Sequence, residues 1–433
     1  MNDRSMEFLK QVRDHLMYLK LRPGGVRLQA KAVDLSGLRL KGFTLNSAVL
    51  TQVNFSDAEL EGVSFDMSDL FGANFSRAVL VGSRFVRADL RGANFLKANL
   101  RSTDFEEADL RPGQILTFVS GREEVRNRTN LQDASLDGVN FKNADLSHAD
   151  LTNSALRGTD FAGANLFAAN LAGADLSEAN FTGAKLKQAI LNGATLNQTI
   201  LRNADLRDAV MRNVDFTKAD VVGANLNGAI YMKSTSALPP DVRRMLDSHT
   251  LWINSGGARG ERADFTGMDL RGVDLTAVDL SGAVFRNAQM SEASLSNAQL
   301  SLTDFGGANL SRAKLDQAIL TGANLMGADL TGARAGDADF GRVELRKPDG
   351  TPTGRLWPAN LTGATLSGID LRGARLSGAR ITSAVFENAN LCSADLRGCD
   401  EDAADLTRAY LSGARRGPLP VREEGDAAAL LAV

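Results

Sequence analysis

The sequence is poor in the residues on which most active sites and many folds depend. Among 433 residues there are two cysteines, three histidines, two tryptophans and three tyrosines. Cys392 and Cys399 cannot staple a chain of this length, and neither has a second pair at zinc-site spacing. So few cysteines suit a reducing cytosol. A formal charge of -3 advertises no broad basic face, so direct nucleic-acid binding is not expected. No apolar run reaches the ~18–20 residues that span a bilayer. The opening MNDRSMEFLK lacks the basic-then-apolar order of a secretory signal. The expectation is a cytoplasmic, bacterial protein. The histidines, His15, His148 and His249, are scattered. There is no nucleophile motif, phosphate-cradling loop or metal spacing, so no catalytic residue, cofactor or metal is expected.

What the chain has instead is a period. In residues 88–110, ADLRGANFLKANLRSTDFEEADL, the large apolar residues Leu90, Phe95, Leu100, Phe105 and Leu110 recur every fifth position. A small residue precedes each by two: Ala88, Ala93, Ala98, Thr103, Ala108. Such centres run from Leu35 to Leu110, Leu131 to Tyr231, Phe265 to Leu345 and Leu361 to Leu411, 65 in all. Five residues advance an α-helix by ~500°, which would scatter the apolar side chains around every face. Centre and small residue, two apart, share one face of a short strand. Gly after the strand suits a corner that needs positive φ. Phe55, Phe75 and Phe95 recur every twenty residues, as do Phe65, Phe85 and Phe105. Twenty residues make four units, so the period predicts a four-sided coil. Its stacked rings would lie ~4.8 Å apart, the spacing of paired strands. Two centres break the rule: Ala335 is too small, and Glu401 is charged and is expected to turn outward.

These units, ADLRG, ANLNG and ADLTG among them, resemble the pentapeptide repeat family, whose pattern is A(D/N)LXX. The resemblance covers about three-quarters of the chain. It implies an all-β fold, a right-handed quadrilateral β-helix, in which centre and small residue point inward. It also implies three kinds of function. Most simply, rigid flat walls act as a scaffold for a protein partner. Some members mimic duplex DNA and bind DNA gyrase, some protecting it from quinolones; those are shorter, densely acidic, and carry a dimerising C-terminal helix. An enzyme would need a pocket that the sequence does not show.

The period divides the chain. Residues 1–32 read as an amphipathic helix and cap, with the stripe Phe8, Leu9, Val12 and Leu16 ended by Pro23-Gly24-Gly25. Residues 33–231 form a first repeat run with a loop insertion at 113–128. A helical insertion follows at 232–262, where Pro239-Pro240 marks a start. Val242, Met245, Leu246, His249 and Trp252 keep helical spacing there, and Gly256-Gly257 supply a stop. A second run spans 263–413 with a turn-rich loop at 348–358, and 414–433 form a C-terminal tail. His15 precedes Tyr18 by three, and His249 precedes Trp252 by three. The pattern reads as two related modules, each a helix capping a run of repeats, because the bare end of a β-helix exposes backbone.

Charge gives the candidate site. Asp57, Glu59, Glu61, Asp66 and Asp69 are followed by Arg77, Arg84, Arg87, Arg91, Lys97 and Arg101, with only Asp89 among them. Acidic coils give way to basic ones, a polarity that could steer a partner or a second copy of the chain. Arg84, Arg87, Arg91, Lys97 and Arg101 are the candidate partner-binding residues. Asp400, Glu401, Asp402 and Asp405 cluster as a solvated acidic corner. Seven bases against three acids in the first 32 residues would permit weak membrane contact through the N-terminal helix.

Overall fold

In the computed structural model, backbone is described for residues 3–113, 115–119, 122–126, 128–231, 238–346 and 351–419. The chain divides into two compact units, Met1–Ser234 and Thr235–Val433. Unit 1 opens with helix α1 (Asp3–Leu19), and unit 2 carries helix α2 (Pro240–Asn254). The remainder of each is a four-sided β-helix. Strands β1 (Gln29–Lys31) and β2 (Val49–Thr51) pair in parallel, Ala30 opposite Leu50. Beyond them nearly every side is a single-residue parallel bridge to the residue twenty further on, as in Asp69 to Asp89 to Asp109. One circuit therefore takes twenty residues.

The five-residue unit is what satisfies the backbone. In residues 88–92 all five N–H groups find acceptors. Ala88 donates to the Phe85 carbonyl across the corner at 3.0 Å. Asp89 donates backward to Ser68 at 2.9 Å, while Leu90 and Gly92 donate forward to Asp109 and Arg111 at 2.8 and 3.1 Å. The fifth donor, Arg91 N–H, lies at the corner and is taken by the Asp89 carboxylate at 3.2 Å. This is the physical reason that Asp or Asn so often precedes a centre: its side chain caps the turn that the backbone cannot close. Ser56 N–H to Asn54, Thr152 N–H to Asp150 and Thr331 N–H to Asp329 repeat the bond.

Centres and small residues fill the inside. Leu90, Leu100, Phe105 and their neighbours are completely buried. Thr103, where Ala is usual, donates its hydroxyl to the Leu80 carbonyl at 3.0 Å; Ser83, Thr159, Thr199 and Thr303 do likewise. Each buried Leu or Phe contributes roughly 1.5–3 kcal/mol, so stability accumulates with every circuit. The rings stack as the period predicts. Phe65, Phe85, Phe105, Phe141, Phe161 and Phe181 make one column, with centroids 4.6 to 5.2 Å apart. Phe55, Phe75 and Phe95 make the opposite column and meet the first edge-on at 5.7 to 6.1 Å.

The described residues of both insertions are largely strand. Strands β3 (Ile115–Val119) and β4 (Arg122–Arg126) form an antiparallel hairpin in the first. Strands β7 (Arg342–Arg346) and β8 (Pro352–Pro358) form one in the second. The second begins earlier than the turn-rich stretch at 348–358 suggested, so Leu345 lies on a hairpin strand and is no centre. Its spacing of five from Phe340 is fortuitous. The coil closes beneath both hairpins: Asn94 bridges Asn130, and Asn324 bridges Asn360, each skipping 36 residues where 20 is the rule. Phe105 stacks on Phe141 across the first gap at 4.9 Å. The short strands β5 (Val210–Met211) and β6 (Ile230–Tyr231) pair near the end of unit 1. Glu401 opens a single 3-10 turn, Glu401–Ala403, and its carboxylate meets Arg416 at 2.5 Å. Residues 232–237 of the expected helical insertion and 420–433 of the expected tail lie outside the described residues.

Two predictions follow from this geometry. Excising residues 343–358 joins ADFGR to ANLTG and restores the twenty-residue step. The shortened chain should keep its β signature in circular dichroism and its unfolding midpoint within a few degrees. An unfolded product would show that the hairpin is part of the frame. Leu100→Asp, by contrast, places an unpaired carboxylate inside the coil and should cost at least ~3 kcal/mol, read as a lower midpoint in denaturant. An unchanged midpoint would remove Leu100 from the interior.

Candidate binding surface

With the interior filled, chemistry is left to the outer positions: the residue before each centre and the two after it. Most carboxylates there are already committed. Asp269 caps the Arg271 N–H at 3.2 Å and takes two guanidinium bonds from the same residue. The Arg271 guanidinium, with the backbone bond second, holds its carboxyl down at about 2. Asp89, Asp109, Asp205, Asp370 and Asp395 repeat the device with the arginine two residues on. In the acidic corner Asp400 and Glu401 are likewise engaged. Asp400 accepts from Ile381 N–H at 2.7 Å and from the Thr382 hydroxyl, and Glu401 is paired with Arg416. No group of side chains able to hold a metal ion occurs among the described residues. Cys399 occupies a small-residue position and sits 3.1 Å from the Leu376 carbonyl; burial pushes its thiol up to about 12, which makes it inert. Cys392 is a free thiol elsewhere on the coil. His148 lies at a corner with φ 60° and meets Phe167 edge-on.

The five candidate residues do not form one patch. They belong to four successive sides, so they wrap around a single circuit. Arg84 and Arg87 flank the Phe85 centre, Arg91 follows Leu90, Lys97 follows Phe95 and Arg101 follows Leu100. Nor are they a block of free positive charge. Arg84 bridges Asp66 and Asp104, at 3.2 and 3.0 Å; Arg87 pairs with Glu107 at 2.6 Å. Arg91 pairs with Asp89 at 2.6 Å and also faces the Phe71 ring at 5.6 Å. Arg101 reaches Asp137 at 3.5 Å. Only Lys97 makes no ion pair with a described residue. A basic run between acidic runs, at about one circuit's distance, is what inter-coil pairing looks like when read along the chain.

Sequence reasoning passed over the exposed apolar side chains. Met67 is 57% exposed at the corner one circuit before Arg87. In unit 2 Trp357 stays 53% exposed on β8, although its ring edge and Val343 lie over Gly322. Leu302 lies over the same glycine, and Leu356 is also exposed on β8. A tryptophan in a turn-rich insertion was the available signal; Met67 gave none, because corner positions accept any residue.

The repeat model of one family matches residues 31–66, 68–111, 127–163, 159–198, 189–228, 269–307, 308–346, 359–398 and 384–415, well over half the chain; the family is the pentapeptide repeats. This chain is a pentapeptide repeat protein. Its coil is accordingly the family's right-handed quadrilateral β-helix. Among solved pentapeptide repeat structures, it is similar to HetL, involved in heterocyst differentiation regulation in the cyanobacterium Nostoc sp. strain PCC 7120. Identity is 20%, over 92% of each chain, with a TM-score of 0.17. It is 25% identical to Rfr23 of the cyanobacterium Cyanothece 51142, over 32% of this chain and 88% of that one, with a TM-score of 0.18. QnrB1, a plasmid-mediated fluoroquinolone resistance protein, is 20% identical over 47% of this chain and 94% of its own, with a TM-score of 0.18. None of the curated proteins matches the sequence at a significant level. Among the described residues, no helix is long and apolar enough to cross a membrane.

The capping carboxylates give the pentapeptide coil a dependence on acid. Asp269, ordinarily near 3.8, stands at about 2, and Asp205, Asp370 and Asp395 are shifted the same way, each by hydrogen bonds from an arginine. The folded coil therefore binds fewer protons than the unfolded chain. The stability from these groups is complete above the ordinary carboxylate range and is lost as pH falls through their lowered folded values, about 2 at Asp269. Thermal melts of the β signal should hold level down to about pH 4.5 and then drop. A midpoint unmoved at pH 2 would show that the caps contribute nothing.

Proposed function

We propose that this pentapeptide repeat protein is a non-catalytic scaffold that binds a protein partner on its outer walls. One observation carries the reading: the polar side chains that could do chemistry are spent on closing corners and pairing neighbouring coils. What remains outside is straight columns of side chains on a rigid frame. Such a frame loses little conformational freedom on binding, which favours recognition by a fixed array.

Within the candidate set, the wall of Arg84 and Arg87 is the proposed contact. It places two arginines, more than half exposed, beside the exposed Met67. An arginine-and-methionine surface with paired carboxylates at its rim has the composition of a binding patch. Arg91, Lys97 and Arg101 face other sides and fall outside it. Reversing Arg84 and Arg87 to Glu breaks exposed ion pairs, each worth at most ~1 kcal/mol, so the fold should survive. Affinity capture by the native chain from its host, followed by mass spectrometry, identifies the partner. The double variant should lose that partner at least tenfold, and Lys97→Glu with Arg101→Glu should retain it. Equal retention by both variants moves the contact off this wall.

The alternative is a mimic of duplex DNA that modulates DNA gyrase or another DNA-binding protein. It requires a continuous acidic surface, and here arginines neutralise the carboxylates coil by coil. A supercoiling assay with purified gyrase separates the two: no dose-dependent effect is expected, and one would favour mimicry.

A further inference from the structure

The two helices share one docking device. The imidazole of His15 is completely buried against the first circuit of unit 1. Its Nδ1 accepts the Leu28 N–H at 3.1 Å, and its Nε2 donates to the Asn46 carbonyl at 3.0 Å. His249, equally buried, repeats this in unit 2: Nδ1 accepts the Ala263 N–H at 3.1 Å, and Nε2 is aimed at the Ser281 backbone, short of an ordinary hydrogen bond. The register is the same, because Asn46 and Ser281 each lie eighteen residues beyond the amide that the ring accepts. The neighbours correspond too. Tyr18 stacks on His15 at 5.7 Å and Trp252 on His249 at 5.4 Å. Arg27 and Arg262, each one residue before the accepted amide, donate to the carbonyls of Ser47 and Gly282.

The bonds explain what the rings replace. Leu28 and Ala263 occupy the small-residue position, whose N–H elsewhere donates to the carbonyl of the preceding centre, as Ala93 does to Leu90. In the first circuit that centre does not exist, and Nδ1 stands in for it. Asn46 holds the position whose carbonyl elsewhere accepts from the circuit before, as Arg111 does from Gly92. Nε2–H stands in for that donor. Only the neutral Nε2–H tautomer does both.

We propose that His15 and His249 are proton-operated latches: protonation at Nδ1 releases α1 and α2 from the coil and uncovers the first circuit of each unit. The added hydrogen on Nδ1 would face a backbone N–H, turning an attraction into a repulsion inside a buried site. The charges facing the two rings differ, and at neither do they outweigh burial. Arg27 faces His15 and opposes protonation. Arg262 opposes it at His249, where Asp279 favours it. At both rings burial is the largest influence, and it holds the imidazole below its ordinary 6.5. A docked histidine with a lowered pKa binds fewer protons than a released one. Docking is therefore complete above about pH 6.5 and weakens about tenfold per pH unit below it, until the docked ring itself titrates. This lies above the acid range of the capping carboxylates, so the helices leave before the coil fails.

Hydrogen exchange on the full chain, corrected for the intrinsic pH dependence of exchange, reads the device directly. Protection of the Leu28 and Ala263 amides should fall about tenfold per pH unit between pH 6.5 and 5, while that of Leu90 stays constant. In His15→Asn with His249→Asn, the Asn Oδ1 replaces the Nδ1 acceptor but does not titrate, so protection should become level over this range. Wild-type protection that stays level to pH 5, or an Asn variant that loses it as the wild type does, would overturn the proposal. Imidazole resonances of the wild-type chain give a readout independent of the variants. His15 and His249 should titrate below the 6.5 of an ordinary imidazole; rings that titrate while the amides stay protected also overturn it.

Discussion

One demand governs this molecule: a chain that turns a corner every five residues must still give each backbone N–H an acceptor. Four of the five donors in a unit reach other backbone carbonyls, as Ala88, Asp89, Leu90 and Gly92 show. The fifth, at Arg91, needs a side chain, and Asp89 supplies it. Because the forward bonds run from one circuit to the next, an error in one circuit strands donors in its neighbour. The pattern is thus enforced at every unit, and composition follows. Leu and Phe fill the bore, Ala or a hydroxyl fits behind the corner, Asp or Asn caps it. Gly92, with φ of 68°, relaxes the turn where a side chain is not needed. Arg87 and Lys97 hold the same left-handed conformation, with φ of 58° and 57°. Such a conformation costs a non-glycine residue on the order of 1–2 kcal/mol, so the forward bonds must outweigh that cost for the corner to persist.

The period of five and the recurrence of phenylalanine at twenty made the coil legible in the sequence before any coordinate. Both are one-dimensional images of a structure that is itself nearly one-dimensional. What was illegible needed the second dimension. The charges of residues 57–109 read as a polarity along the chain, but adjacent circuits lie side by side, so Arg77 finds Asp57 and Arg87 finds Glu107. The candidate site suffered for the same reason: neighbours in sequence face different sides, and neighbours on one side are twenty apart. Leu345 misled differently. Its spacing was right, but a hairpin strand can carry an apolar residue at any register, and only the pairing of Glu344 with Leu356 distinguishes the two.

A filled bore also fixes where function can reside. Among the described residues, the hairpins and the outward side chains at the corners are parts on which the filled bore places no demand of volume. The bridge from Asn324 to Asn360 shows that the frame closes without β7 and β8. Trp357 is held there more than half exposed, where the frame has no use for it. Residues of this kind, and not the periodic ones, are where the sequence is free to specify a partner.

The two edges of such a coil are chemically unlike, and this accounts for the helices' choice of residues. Within a circuit the N–H groups at the centre and two beyond it point forward, as do those of Leu90 and Gly92. The carbonyls that receive them, those of Asp109 and Arg111, point backward. A first circuit therefore presents mainly acceptors. Whatever closes it must bring more donors than acceptors. Arg27 and Arg262 bring donors, and His15 and His249 bring one of each. A carboxylate in the histidine's place would oppose the Asn46 carbonyl, and a lysine would oppose the Leu28 N–H. At His15 neutral imidazole meets both edge groups from one ring; at His249 it accepts the Ala263 N–H and turns Nε2 toward the Ser281 backbone, which is why the start of each unit is closed by a histidine although the chain has only three.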